Sequence, residues 1–133
     1  MNNTSGLILY DTNSTLITTE FNGKHCFKFI SDGTLWRFID VVFTDFEIGS
    51  QVQFTSDILS ENNCVLNIYH YGDTSGNIMT SIVEIPASQN WGTYTITSTE
   101  IPSDTTSVRI RLLQSTTIVN TKTYITNCNL KII

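Results

Sequence analysis

The stretch that decides the fold is QNWGTYTITSTEIPSDTTSVRIRLLQS, residues 89–115. Trp91 precedes an alternating run in which Tyr94 and Ile96 fall on one side and Thr93, Thr95 and Thr97 on the other. An Ile101–Pro102 corner and a polar turn follow. A second alternating run then sets Val108, Ile110 and Leu112 against Arg109 and Arg111. Alternation of period two is the mark of a strand, because successive side chains of a pleated backbone point to opposite faces. Proline lacks the amide proton that a ladder needs, so the corner separates two strands rather than interrupting one.

The same period recurs along the chain. Strands are expected near 7–10, 15–21, 25–30, 35–44, 50–59, 64–71, 78–85, 92–99, 107–114 and 122–132. Turn-forming stretches separate them: FNGK, SDGT, EIGS, SENN, GDTSGN, IPASQNWG and IPSD. No segment of eleven or more residues carries a helical period. About ten short strands at this spacing predict an all-β protein, an antiparallel sandwich or barrel. With 133 residues and no linker, repeat or charge block, a single domain spanning 1–133 is expected. Only the tract QSTTIVNTKT, residues 114–123, is polar enough to predict a mobile loop.

Charged residues make up 14% of the chain, against about 25% in an average domain. Thr, Ser and Asn take their place. The net charge is −5 with no basic stripe, which argues against nucleic acid or an anionic membrane surface as partner. No apolar run reaches the roughly 20 residues that would span a bilayer as a helix, so membrane insertion is not expected. The opening MNNTSGLILYDTN has no basic segment leading into a long apolar one, so no signal peptide is expected in this chain. The three cysteines, Cys26, Cys64 and Cys128, are odd in number and lack a C-x-x-C. They are expected to be buried free thiols, the alternative being one bridge and a spare.

The faces carry the functional signal. In QVQFTSDIL, Val52, Phe54 and Ile58 point one way and Gln53, Thr55 and Asp57 the other. In CVLNIYHYG, Leu66, Ile68 and His70 lie opposite Asn67, Tyr69 and Tyr71. Cys64 shares the Leu66 side, and Cys128 lies with Leu130. Three strands therefore set an apolar face against one of amides, tyrosines and arginines. Aromatic rings stack on the C–H face of a pyranose, and Arg, Asn and Gln reach its hydroxyls. The same groups also serve as cross-strand pairs, and that reading stays open.

The residues Asn90-Trp91-Gly92-Thr93-Tyr94, Ile101-Pro102, Val108-Arg109-Ile110-Arg111-Leu112 and Tyr124-Ile125-Thr126-Asn127-Cys128-Asn129-Leu130 follow a known order. It resembles the final third of the jelly-roll carbohydrate-binding modules of the glucan- and xylan-binding group, which share the galactose-binding-like fold. IGSQVQFTSDILSENNCVLNIYHYGD is similar to that family's middle strand pair. The resemblance covers roughly residues 48–132. It implies a jelly-roll sandwich and a non-catalytic role: tethering a larger protein or particle to a polysaccharide or cell-surface glycan. The implied binding set is Tyr69, Tyr71, Asn67, Gln53, Arg109 and Arg111 on a concave face, with Trp36 of DGTLWRFID at its rim. Such modules often hold a structural calcium. Here Thr126 stands where the family's Asp helps to bind it, which leaves Asp11, Glu20 and Asn127 as oxygen donors and no cofactor as certain. Trp91 is expected to pack on the sandwich edge.

Enzymatic signatures are missing. There is no G-x-S-x-G, H-E-x-x-H or phosphate-cradling loop. The one candidate pair of carboxylates facing each other across strands is Asp40 and Asp57. His25 and His70 are not at ligand spacing, and His70 is expected to be a hydrogen-bonded core or rim residue. The alternative to a binding module is a structural, assembly or receptor-binding domain of a phage tail, viral fibre or microbial adhesin. Either reading implies an extracellular, cell-surface or virion-surface setting.

Overall fold

The computed structural model describes residues 8–11, 17–31, 37–114, 116 and 118–133, with the backbone alone at 8–11, 17 and 37. Ten strands form: β1 Ile8–Asp11, β2 Ile17–Phe21, β3 Lys24–Ile30, β4 Arg37–Phe43, β5 Val52–Ser60, β6 Cys64–Gly72, β7 Gly76–Ile85, β8 Gly92–Thr97, β9 Thr105–Gln114 and β10 Lys122–Ile132. They lie within about two residues of the runs expected from alternation. The first sheet has the order β1-β4-β9-β6-β7, the second β2-β3-β10-β5-β8, and every described pairing is antiparallel. The fold is an all-β sandwich.

Period two decides what each strand buries. Ile39 and Val41, Leu66 and Ile68, and Val108, Ile110 and Leu112 of the first sheet meet Phe29, Phe54, Ile58, Ile96 and Ile125 of the second in one continuous core. Outward-pointing residues of the second sheet make a smaller cluster in which Phe21 stacks on Tyr124 at 4.0 Å and Trp91 meets Tyr124 edge-on at 6.5 Å. Trp91 thus packs on the sandwich, as its place before a strand suggests. All three cysteines are free. Burial pushes the Cys64 and Cys128 thiols up to about 12, so both stay protonated and act as small apolar groups.

The strand pair expected at 50–71 is divided. β5 hydrogen-bonds β10 and β8, whereas β6 bonds β9 and β7 in the other sheet. The Glu61–Asn63 connection is short enough for a hairpin, yet it crosses between the layers. Three register shifts interrupt the described ladders, one between Thr126 and Asn129 on β10, one opposite Ile68 and Tyr69 on β7, and one opposite Tyr71 and Gly72 on β9. At the first, Asn127 takes a φ of 52°, a left-handed conformation that asparagine tolerates better than most residues.

The ends of the tract expected to be a mobile loop, Gln114, Thr121 and Thr123, belong to a buried polar network, while residues 118–120 between them form an exposed turn and Ser115 and Thr117 lie outside the described residues. Gln114 Nε2 donates to Thr123 Oγ1 at 3.0 Å and Thr121 O at 3.2 Å, and Ser60 Oγ meets Thr123 Oγ1 at 2.8 Å. Ser31 Oγ donates to Ile118 O and accepts from Thr121 N. The hydroxyls of Ser31, Ser60, Thr121 and Thr123 thus satisfy neighbours inside. Thr123→Val keeps the volume but leaves Gln114 and Ser60 short of a partner. It is expected to cost about 1–3 kcal/mol in urea denaturation, and a loss below about 0.5 kcal/mol would show that the network is dispensable.

Candidate functional site

The outward face of the first sheet is laid out in rows by strand register. The top row runs Phe38 (β4), Leu113 (β9), Val65 (β6), Glu84 (β7). Below it come Asp40, Arg111, Asn67 and Ile82, and then Val42, Arg109, Tyr69 and Met79. The last row is Ser107, Tyr71 and Asn77. Antiparallel partners share a face, so register alone brings Asn67, Tyr69, Tyr71, Arg109 and Arg111 together. Five of the seven residues expected to bind ligand therefore lie on one surface.

The centre of this surface is an ion pair. Arg111 Nε donates to Asp40 Oδ1 at 2.7 Å and Arg111 Nη2 to Asp40 Oδ2 at 2.9 Å. Asp40 is only 2% exposed, although it points away from the core. The guanidinium carbon lies 3.8 Å from the Phe38 ring centre and 4.8 Å from that of Tyr69, so a ring from each flanking strand covers it. The hydrogen bonds from Arg111 to Asp40 raise its pKa further, and it stays charged at any physiological pH. Sequence reasoning takes Arg111 as a free donor fork. The structure makes it chiefly the post that fixes Tyr69. Asp40 and Phe38 join this candidate site through Arg111, which the sequence did not reveal, since alternation shows a face but not its neighbours.

Around this post lie groups with unmet bonding capacity. Asn67 is 4% exposed, and its Oδ1 has no partner. Its Nδ2 makes only a long 3.5 Å contact with Tyr69 Oη. Arg109 Nε is covered and unbonded, and its guanidinium carbon sits 5.0 Å from the ring centre of Tyr71. Tyr71 is 39% exposed, and on the neighbouring strand β7 Met79, opposite Tyr69, and Ile82, opposite Asn67, are also exposed. The face thus has a buried polar floor and an aromatic and apolar rim toward β7.

The remaining expectations are corrected or fall elsewhere. Gln53 is on β5 of the other sheet, where Nε2 donates to Thr97 Oγ1 at 3.2 Å. It cannot share a ligand with Tyr69 across the core. Trp36 lies outside the described residues. Asp40 and Asp57 do not face each other, because they project from opposite outer faces of the sandwich. Asp57 accepts from Thr93 Oγ1 at 2.6 Å and Asn127 Nδ2 at 2.7 Å, and pairs with Lys24 at 3.3 Å. His70 is buried as expected, but neither ring nitrogen has a hydrogen-bond partner. Among the described residues the proposed calcium donors are engaged with other groups. Glu20 pairs with His25, Asn127 gives its amide to Asp57, and Thr126 Oγ1 donates to His25 O. The side chain of Asp11 is outside the described set. No group of three or more His, Cys, Asp or Glu side chains that could hold a metal occurs among the described residues.

A concavity of about 610 Å³ opens between the β2–β3 turn and the segment before β8, lined by Phe21, Asn22, Leu59, Glu61, Ser88 and Gln89. Several of its polar groups are engaged internally. Asn22 Nδ2 reaches Gln89 O, Glu61 accepts from Lys122 N, and Ser88 Oγ accepts from Asn90 N. The first-sheet face, with its unmet groups, is the better candidate.

No protein-family model and no curated protein matches the chain. Solved structures do. The xylan-binding CBM22-1 domain of Paenibacillus barcinonensis Xyn10C superposes with a TM-score of 0.70 at 9% identity, covering 94% of this chain and 85% of that one. This is the fold of the jelly-roll carbohydrate-binding modules. The module fold recurs in the CBM22-1–GH10 fragment of Clostridium thermocellum xylanase 10B, crystallised with xylohexaose (TM-score 0.71, 11% identity, 96% of this chain and 26% of that one). It recurs again in the enzymatically active domain of bacteriophage CBA120 tailspike protein 4 (TM-score 0.64, 16% identity, 98% of this chain). The chain spans about 20% of that tailspike fragment, so there the module fold is one part of a larger protein.

Proposed function

We propose that this protein is a non-catalytic carbohydrate-binding module that holds a larger protein or particle on a glycan at an extracellular, cell or virion surface. The observation that carries the reading is the first-sheet face. There an exposed aromatic ring, Tyr71, adjoins the Arg109 guanidinium, which has no acceptor among the described residues, and two rows along the same strand the floor amide of Asn67 has an oxygen with no partner among them. The ring offers a stacking surface for a sugar, and hydroxyls or the waters they carry supply the missing bonds. The likeness to isolated carbohydrate-binding domains supports the same reading. Each site is expected to bind weakly, because sugar hydroxyls exchange bonds to water for bonds to protein at small net gain. Repeated copies on a particle would then act by avidity.

The test is a glycan array followed by calorimetry on the best polysaccharide. Tyr71→Ala is expected to weaken binding about tenfold or more, the equivalent of losing about 1.4 kcal/mol of stacking. Gln53→Ala, on the opposite side of the sandwich, is expected to change nothing. Equal affinity of Tyr71→Ala and the parent, or a loss with Gln53→Ala alone, would move the site off this face.

A second reading, an assembly domain of a phage tail, viral fibre or adhesin, is favoured by the exposed Ile78, Met79 and Ile82 on edge strand β7. Light scattering separates the two. A stable oligomer that buries this edge supports assembly, and a monomer supports the module.

A further inference from the structure

The charges on the first-sheet face do not cancel locally. Asp40 and Arg111 neutralise each other through two hydrogen bonds. Glu84 stands in the top row on the far strand β7, two rows from Arg109. Among the described residues Arg109 has no hydrogen bond to an acceptor and no carboxylate partner. Its guanidinium carbon lies 5.0 Å from the centre of the Tyr71 ring. Arg109 is half-buried, with Nε covered and the Nη end keeping access to solvent beside the exposed ring. That end is a planar pair of donors whose spacing matches the two oxygens of a carboxylate. A neutral sugar would leave this cation facing hydroxyls alone. A uronate would meet it with a charge-assisted pair while its ring lies on Tyr71.

We propose that the ligand of this face is an acidic glycan whose uronate carboxylates are read by Arg109. The inference rests on the carbohydrate-binding reading above. It also runs against the net charge of −5, which disfavours polyanions at long range. A preference for one would therefore have to arise from a local contact of this kind.

The test compares polygalacturonate with the same polymer fully methyl-esterified, which removes the charges and keeps the backbone. Calorimetry is expected to show at least about tenfold tighter binding of the free acid, in line with one hydrogen bond to a charged group. Arg109→Gln is expected to abolish that ratio, and Arg109→Lys to retain part of it. A thermal melt of each variant confirms that it is folded. The proposal is overturned if the two polymers bind equally, or if the ratio survives in Arg109→Gln. Dextran sulfate binding as tightly as polygalacturonate would overturn recognition of the carboxylate in favour of bulk charge. If a neutral xylan binds and neither pectin form does, this inference fails and the carbohydrate reading stands. If no polysaccharide binds, both fail.

Discussion

Asp40→Ala is expected to destabilise the fold by about 3–5 kcal/mol, the usual consequence of removing one partner from a buried ion pair. The side chains of Asp40 and Arg111 are 3% and 14% exposed, so little water is at hand to replace the lost carboxylate. The guanidinium would be left between Phe38 and Tyr69, with its fork empty. Arg111→Met should be costly for the mirror reason, since it strands the Asp40 carboxylate. The double variant Asp40→Ala/Arg111→Met removes both charges and is expected to lose clearly less than the sum of the singles. Urea midpoints at constant m-value measure all four proteins. A single-variant loss below about 1 kcal/mol would mean that the pair is solvated after all, and additive losses would deny the coupling. Where Asp40→Ala remains folded, glycan affinity should also drop, because Arg111 no longer holds the ring of Tyr69 in place.

The same ion pair marks the limit of what the sequence discloses. Alternation places Arg111 on an outer face, and it places Asn67, Tyr69 and Tyr71 on the outer face of their own strand. It cannot say which strand lies beside which. Asp40 looks like one solitary strand carboxylate among several until β4 is found next to β9. Gln53 fails for the same reason. Its strand shows the same alternation as the Tyr69 strand and precedes it by a three-residue connection, Glu61–Asn63, yet that connection leads into the other sheet. The period-two pattern is local and survives any arrangement of strands. Sheet membership is a long-range property, fixed by which apolar faces meet in the core. Bulges escape notice too, because the extra residue at Asn127–Cys128 is extra only relative to Ser56 on its partner strand. What the sequence does state clearly is strand position and face, since both follow from backbone geometry within a single segment. At the ends of the polar tract at 114–123, composition cannot tell a hydroxyl facing water from one facing Gln114, as Thr123 does.

His70 offers the second large effect, through pH. The imidazole is 2% exposed, lies on the core side of β6 opposite Val108 and Ile78, and has neither nitrogen paired. Burial pushes its pKa below the ordinary 6.5, because an imidazolium here would lose its hydration with no acceptor in return. The native state therefore resists a proton that the unfolded chain accepts near pH 6.5. The stability from the neutral ring is fully present above that pH. It drains away as the pH falls from there toward the folded-state pKa, at up to about 1.4 kcal/mol per pH unit. Two carboxylates with shifted values titrate in a lower window. For Asp57, burial works to raise the pKa, but hydrogen bonds from Thr93, Asn127 and Lys24 outweigh it, and the net shift is below 3.8. Hydrogen bonds from the Ser75 side chain and backbone do the same for Asp104. Their contributions are present above about pH 4 and are lost below it. The interval from pH 6.5 to 5 thus isolates His70. Over it the parent protein is expected to lose stability as the pH falls, and His70→Leu to hold its stability nearly level. At pH 7 the variant should be no less stable than the parent, since it removes two unpaired buried nitrogens without opening a large cavity. Urea denaturation at pH 7 and pH 5 decides the matter. Parallel losses in the two proteins would place the acid sensitivity elsewhere, and a variant much weaker at pH 7 would show that the imidazole has a bonding partner in solution.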